Sequence, residues 1–313
     1  MKSFRFAVQM SKAASPKQWR DAARKIEDLG YSTLFMPDHL DVQWAPLVAL
    51  TAAAEATTRL RVGALVLDND YRHPVLLAKE LATLDLLSEG RLEAGIGAGW
   101  MTSDYEVAGI ALDQPTMRVE RLEEAIQVMK AMWRDGTCTF SGKHYRVHSA
   151  KGFPLPHRRP GPLLVIGGGS PRVLKLAARE ADIVGVNPRL TSGVIGPETI
   201  ASASPEEYDR RIAWVRDEPR ARADDIELQC LAFFVHVGAG SASTLRGLAS
   251  TLGMSPERVA AALVTLAGTI ESIVETLQER RERWGFTYWV IRETEAHAQA
   301  EAFAPVVSRL AGT

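Results

Sequence analysis

Asp38 and His39 stand side by side after a short apolar run, Thr33 to Met36. A carboxylate next to an imidazole can bind a polar cofactor edge or relay a proton, because histidine titrates near neutrality. Leu67-Asp68-Asn69-Asp70 places more small acceptors at the end of another such run. Successive positions of an extended segment point apart, so these oxygens make a poor ligand shell and no metal site is expected. The reading kept there is a contact from Asn69 to a cofactor ring. Gly95-Ile96-Gly97-Ala98-Gly99-Trp100 lets backbone approach a ligand closely, with Trp100 available to line a flat apolar ring system. Trp44 is a second, weaker aromatic of that kind. Gly167-Gly168-Gly169-Ser170-Pro171-Arg172 joins glycines, a helix-capping serine and a positive charge at a helix start, where N–H groups and the dipole suit a phosphate. His144, His148 and His157 lack metal-ligand spacing and read as surface residues.

These residues need a frame, and strand-like and helix-like runs alternate along the whole chain. Strands are expected at Phe4 to Met10, Thr33 to Met36, Leu60 to Val66, Leu92 to Ile96, Leu163 to Ile166, Ile183 to Val186, Ile226 to Val237 and Phe286 to Ile291. Between them lie amphipathic helices. The first has Ser15 as N-cap, Pro16 in its first turn and Trp19, Ala22, Ala23, Ile26 and Leu29 on its apolar face. Thr137 to Val147 reads as a hairpin, and Phe153 to Pro162 as a Pro-rich connector. The segments 187–202 and 238–267 interrupt the rhythm as insertions. Eight βα units point to a (β/α)₈ TIM barrel in a single domain, 1–313. A doubly wound sheet would carry a Gly-x-Gly-x-x-Gly turn, but Trp100 and Arg172 stand where the last glycine belongs. In a barrel the active site lies at the carboxyl ends of the strands, which is where Asp38, His39, Asp68, Asn69, Trp100 and the Gly167 loop fall.

Composition narrows the function. The 37 basic and 38 acidic residues leave a formal charge of −1, so no nucleic-acid footprint is present. Cys138 and Cys230 are far apart and outside any ligand motif, which fits a reducing compartment. No uncharged apolar run has transmembrane length, and the beginning of the chain does not read as a signal peptide. A cytoplasmic protein is expected.

Leu84-Asp85-Leu86-Leu87-Ser88-Glu89-Gly90-Arg91 resembles the signature of the luciferase-like flavin and deazaflavin oxidoreductases. Asp38-His39, Arg72-His73-Pro74, Gly97-Ala98-Gly99-Trp100 and Gly167 to Ser170 extend the resemblance over essentially the whole chain. It implies a luciferase-like TIM barrel with insertions and hydride transfer between the deazaflavin F420 and a small organic substrate. An FMN-dependent two-component monooxygenase is the alternative, and a non-catalytic flavin-binding barrel a more distant one. Asp38 and His39 match the polar pair beside the ring, with His39 as proton relay and Asp38 orienting the ring or the imidazole. Gly167, Gly168, Gly169 and Ser170 match the phosphate loop, and Leu67, Asp68, Asn69, Gly97, Gly99 and Trp100 complete the expected contacts. Arg172 and Arg189 are candidates for the acidic tail of F420. The family often carries a non-prolyl cis peptide after strand three, expected here within Leu67 to Asn69, and its members are often homodimers. One departure stands out: sugar-phosphate dehydrogenases of this branch place a Glu shortly after the strand-four glycines, and here Glu106 is the first Glu. That departure argues against a sugar phosphate. Arg91, at the opposite end of the barrel, is expected to pair with a buried carboxylate.

Overall fold

The computed structural model describes residues 2–190, 193–219, 221, 225–293 and 298–313. Eight parallel strands close on themselves: β1 (Arg5–Gln9), β2 (Thr33–Met36), β3 (Arg61–Ala64), β4 (Leu92–Gly97), β5 (Leu163–Gly168), β6 (Ile183–Val186), β7 (Glu227–Ala232) and β8 (Phe286–Arg292). Phe6 faces Trp289 where β8 meets β1, and Val62 faces Leu92 where β3 meets β4. The strands read as continuous apolar runs because both of their faces are covered. Outside them pack α1 (Pro16–Asp28), α2 (Pro46–Ala56), α3 (Pro74–Leu87), α4 (Pro115–Asp135), α5 (Pro171–Glu180), α6 (Pro205–Arg216), α7 (Ile270–Trp284) and α8 (Ala298–Leu310). Six of the eight, α1 to α6, begin with proline, whose fixed φ and missing N–H suit a first helical position.

The barrel interior is a small apolar cluster of Ala7, Phe35, Val165, Ile183, Tyr288 and Val290. Its amino-terminal end is closed by charge. Arg5 grips Glu227 with Nε 2.9 Å from each carboxylate oxygen, and Glu93, fully buried, accepts from Arg61 at 2.9 Å and from the Tyr288 hydroxyl at 2.9 Å. Buried charges survive only when paired and hydrogen-bonded in this way.

The Leu84 to Arg91 segment works at that same end. Asp85 is fully buried and accepts the Arg158 N–H at 2.8 Å, tying the Pro-rich connector to α3. Arg91 donates to the carbonyls of Ser88, Leu60 and Ala54 at 2.8, 2.8 and 3.0 Å. The expected carboxylate partner of Arg91 is thus corrected to backbone carbonyls at the ends of α2 and α3 and just before β3. The motif that marks the fold is a structural clamp, remote from the strands' carboxyl ends.

Two other expectations need adjustment. The long strand seven breaks after Ala232, and Phe234–Val237 leaves the barrel to pair in parallel with Thr265–Gly268, flanking the helices Ser241–Leu252 and Pro256–Ala261. The cis peptide lies at Leu65–Val66, before the segment in which it was expected. The hairpin is present as Thr137–Ser141 against Arg146–Lys151.

Candidate active site

His39 follows β2 at the barrel mouth, and its imidazole is held by Asp104, with Nδ1 2.7 Å from Oδ2. Asp104 lies in the first turn of a short helix, Thr102–Ala108, directly after the β4 glycines, and is 3% exposed. Its other oxygen accepts the Leu40 N–H at 3.1 Å. Facing a carboxylate, Nδ1 carries the proton, so the neutral ring keeps its lone pair at Nε2. Trp100 packs its ring edge-on to the imidazole at 5.6 Å. Tyr71 stands near this network, and burial together with the charges of Asp68, Asp104 and Asp38 holds its phenol well above the usual range. The chemical capacity is that of an oriented base or acid at a strand end.

Asp38 does not orient that imidazole. Both its oxygens are taken by Arg72, Oδ2 from Nη1 at 2.5 Å and Oδ1 from Nη2 at 3.0 Å, and Oδ2 also accepts the Asp68 N–H at 3.0 Å. The partner of His39 is Asp104, so of the two roles expected of Asp38, orienting the ring or the imidazole, the second belongs to Asp104.

Residues 65–69 follow β3 toward the mouth. Leu65 and Val66 are half-buried, whereas Leu67, Asp68 and Asn69 are buried. Leu67 packs in the core between barrel and helices, and pairs with Ile96. Leu67, one of the expected contacts, thus lies in the core, and Val66 beside it is half-buried. The Leu65 carbonyl is fixed by the Gln9 side chain at 2.9 Å. A Cβ on Gly97 would lie 2.7 Å from Val66 Cγ2, and one on Gly167 would lie 3.4 Å from Val66 Cγ1. These glycines make room for Val66 as much as for any ligand.

Asp68 and Asn69 hold the loop. Asp68 accepts from the Asp70 N–H at 2.9 Å and from the Tyr105 hydroxyl at 3.2 Å. Burial pushes its carboxyl up to about 6. Arg121 takes Asp70 through two 2.8 Å contacts, and Asn69 donates to the Tyr145 hydroxyl at 3.2 Å, leaving its own Oδ1 buried without a partner. Gly99 has a φ of +73°, and a Cβ there would strike the Tyr105 hydroxyl and the Asp68 carboxylate, so its role is packing. No group of three or more metal-ligating side chains occurs among the described residues.

On the far side of the mouth, Gly167, Gly168 and Gly169 are half-buried and Ser170 is exposed. Ser170 is the N-cap residue of α5, but its side chain caps no N–H, so the first turn lacks a side-chain partner. Gly168 and Gly169 are glycine for reasons of space: a Cβ would lie 2.2 Å from Val173 Cγ1 and 2.5 Å from the Pro188 carbonyl, respectively. Arg189 is spent on Glu207, at 3.1 Å. Trp44 packs against Trp19 at 5.6 Å rather than beside His39. His148 and His157 are exposed as expected, whereas His144 is half-buried, 3.5 Å from Glu120.

Sequence reasoning passed over Asp104. Its signal was an acidic residue in the first helical turn after a glycine-rich strand end, four positions beyond Trp100.

A family model described as luciferase-like monooxygenase matches residues 1–288. Among curated proteins, the F420-dependent glucose-6-phosphate dehydrogenase of Amycolatopsis mediterranei is 31% identical over 176 residues, 53% of this chain and 52% of that protein. The enzyme of the same description from Intrasporangium calvum is 33% identical over 178 residues, 53% of this chain and 52% of its own. The chain thus spans about half the length of these relatives. The F420-dependent tetrahydromethanopterin reductase of Methanopyrus kandleri superposes with a TM-score of 0.79 at 17% identity, covering 99% of this chain and 100% of that one.

Proposed function

The chain belongs to the luciferase-like monooxygenase family, and from that premise we propose that it is an F420-dependent oxidoreductase acting on a small organic substrate, with His39 as its proton-exchanging group. The observation that carries this reading is the contact between His39 and the buried Asp104 at the carboxyl end of the barrel. The F420 dependence of the curated relatives supports the choice of cofactor.

The residues at the mouth fit such a group. Leu65 and Val66 offer half-buried apolar surface, Gly167 keeps the space beside Val66 clear, and the uncapped first turn of α5 supplies N–H donors for a phosphate. The proposed contacts are therefore Val66, Gly97, Trp100, Gly167, Gly168, Gly169 and Ser170. Asp38, Asp68 and Asn69 hold the wall behind them. When bound, F420 supplies hydride transfer. His39 does the complementary work: as the imidazolium it gives its Nε2 proton to a substrate oxygen as the adjacent carbon gains hydride and is left neutral, and as the neutral ring it accepts that proton at Nε2 in the reverse direction. Asp104 keeps Nδ1 protonated and balances the charge that His39 acquires when Nε2 takes a proton. Trp100 limits the ring's freedom to turn.

Cys138 and Cys230 are free and buried, which suits a reducing cytosolic setting, and a homodimer is the expected assembly. No described helix is long and apolar enough to cross a membrane.

The test is single-turnover mixing of enzyme and reduced F420 with ketones, aldehydes and imines, and of enzyme and oxidised F420 with secondary alcohols and sugar phosphates. Deazaflavin fluorescence is the readout. The wild type should turn over with at least one class, and His39→Ala should be slower by about 10²-fold or more at unchanged F420 affinity. Equal rates in the two proteins would remove His39 from the chemistry.

A further inference from the structure

β8 ends at Arg292, and the alternation along that strand decides which way its last residue faces. Tyr288 and Val290 belong to the apolar cluster inside the barrel, whereas Trp289 and Ile291 belong to the core between barrel and helices. Arg292 continues the inward series at the carboxyl end. In register it stands beside Gln9 of β1, which stands beside Phe35 of β2, the strand that leads to His39. Two strand spacings, roughly 10 Å, therefore separate Arg292 from the strand that carries His39.

The other arginines at this end of the barrel are committed. Arg72 grips Asp38, Arg118 donates to the Ala98 carbonyl at 2.9 Å, Arg121 holds Asp70 and Asp113, and Arg189 pairs with Glu207. Arg172 lies 3.8 Å from Glu120 of α4. Arg292 is exposed and has no hydrogen-bond or ion-pair partner among the described residues. Of the charges in the adjoining segments, Asp38 and Asp104 are bound to Arg72 and His39. Glu293 is buried and accepts the Ala300 N–H at 3.0 Å. Lys12 after β1 and Asp41 after β2 are exposed and of opposite sign. The guanidinium of Arg292 is left with its donors unspent.

Such a group, facing inward two strands from a proton-exchanging imidazole, suits a carboxylate, whose two oxygens match its fork. We propose that Arg292 binds a carboxylate of the substrate, which makes the substrate class an oxo acid and the corresponding hydroxy acid. This inference rests on the function proposed above. In the reducing direction the carbonyl carbon takes a hydride from reduced F420, and the carbonyl oxygen takes the Nε2 proton of the His39 imidazolium. The carbon–oxygen π bond gives way to C–H and O–H bonds, F420 is oxidised, and the carboxylate stays ionised on Arg292. Arg292 thus selects and aligns the substrate without entering the proton transfer.

The experiment measures kcat and KM with reduced F420 for short oxo acids that differ in the distance from carbonyl to carboxylate, for their methyl esters, and for a phosphate-bearing ketone. The ester keeps the carbonyl and removes the charge. The wild type should favour at least one acid over its ester by about tenfold or more in kcat/KM. Arg292→Gln should lose that preference through KM, with kcat and ester turnover little changed, and Arg292→Lys should restore part of it. Binding of the matching hydroxy acid to the F420-loaded protein, read by fluorescence, should weaken in parallel. Equal use of acids and esters, a preference for the phosphate, or an acid preference that survives Arg292→Gln would overturn the assignment and spare the F420 reading. Failure to bind F420, or to turn over any carbonyl compound, would overturn both.

Discussion

Asp104 reaches His39 across 65 positions of the chain, with its carboxylate 2.7 Å from the imidazole Nδ1. The pair joins two strand ends that the barrel brings to one side of its mouth, and it determines which imidazole nitrogen is left to exchange a proton.

Asp104→Asn keeps the shape and removes the charge. Turnover should fall by about 10²-fold at unchanged F420 affinity, the size of effect seen when a partner that orients a functional histidine is lost. The ¹⁵N shifts of the His39 ring should show loss of the Nδ1–H tautomer. Full activity with an altered tautomer would mean that the orientation does not matter.

Asp38 should behave differently. It is buried and doubly bonded to Arg72, so Asp38→Asn leaves that guanidinium under-compensated and should lower stability by about 3 kcal/mol. Its turnover per folded molecule should fall far less than that of His39→Ala. Denaturant midpoints beside active-site-normalised rates would check both halves. A kinetic defect as deep as that of His39→Ala, at wild-type stability, would return Asp38 to the chemistry.

Asp68 gives a pH-dependent prediction. Burial raises its carboxyl from 3.8 to about 6, so folding disfavours the ionised form and the native state keeps its proton to higher pH than the unfolded chain. Its contribution is thus favourable at low pH and is lost as pH rises from about 4 through about 6. Asp68→Asn should gain stability on the order of 2 kcal/mol over wild type at pH 8, shrinking toward pH 4. Urea midpoints across that range measure it, and a difference independent of pH would refute the assignment.

The glycine loop separates packing from binding. Gly167→Ala adds a methyl at 3.3 Å from Asn187 Nδ2 and 3.4 Å from Val66 Cγ1, a close fit that should hold the melting temperature within a few degrees while weakening F420. Gly168→Val drives into Val173 and should cost about 1–3 kcal/mol of stability whatever it does to binding. Gly167→Ala with wild-type affinity would move the cofactor away from this loop.

The barrel was readable because each strand is a short apolar run and each helix carries a face at helical spacing, often with a proline at its first turn. Two parts of the site were not. The resemblance placed Leu67 at the mouth, whereas the fold buries Leu67 and leaves Leu65 and Val66 half-buried. Asp104 is far from His39 in sequence, and only closure of the barrel brings them together. Conversely, the most recognisable segment, Leu84 to Arg91, serves the scaffold through Asp85 and Arg91 and touches none of the proposed chemistry.

The central claim is that the barrel mouth is built for F420, and parallel equilibrium titrations of the purified protein with F420 and with FMN, followed by cofactor fluorescence, test it most directly. The account predicts F420 binding at micromolar or lower concentration with FMN bound far more weakly. Tight FMN binding without F420 binding would contradict it and move the protein to flavin chemistry with oxygen.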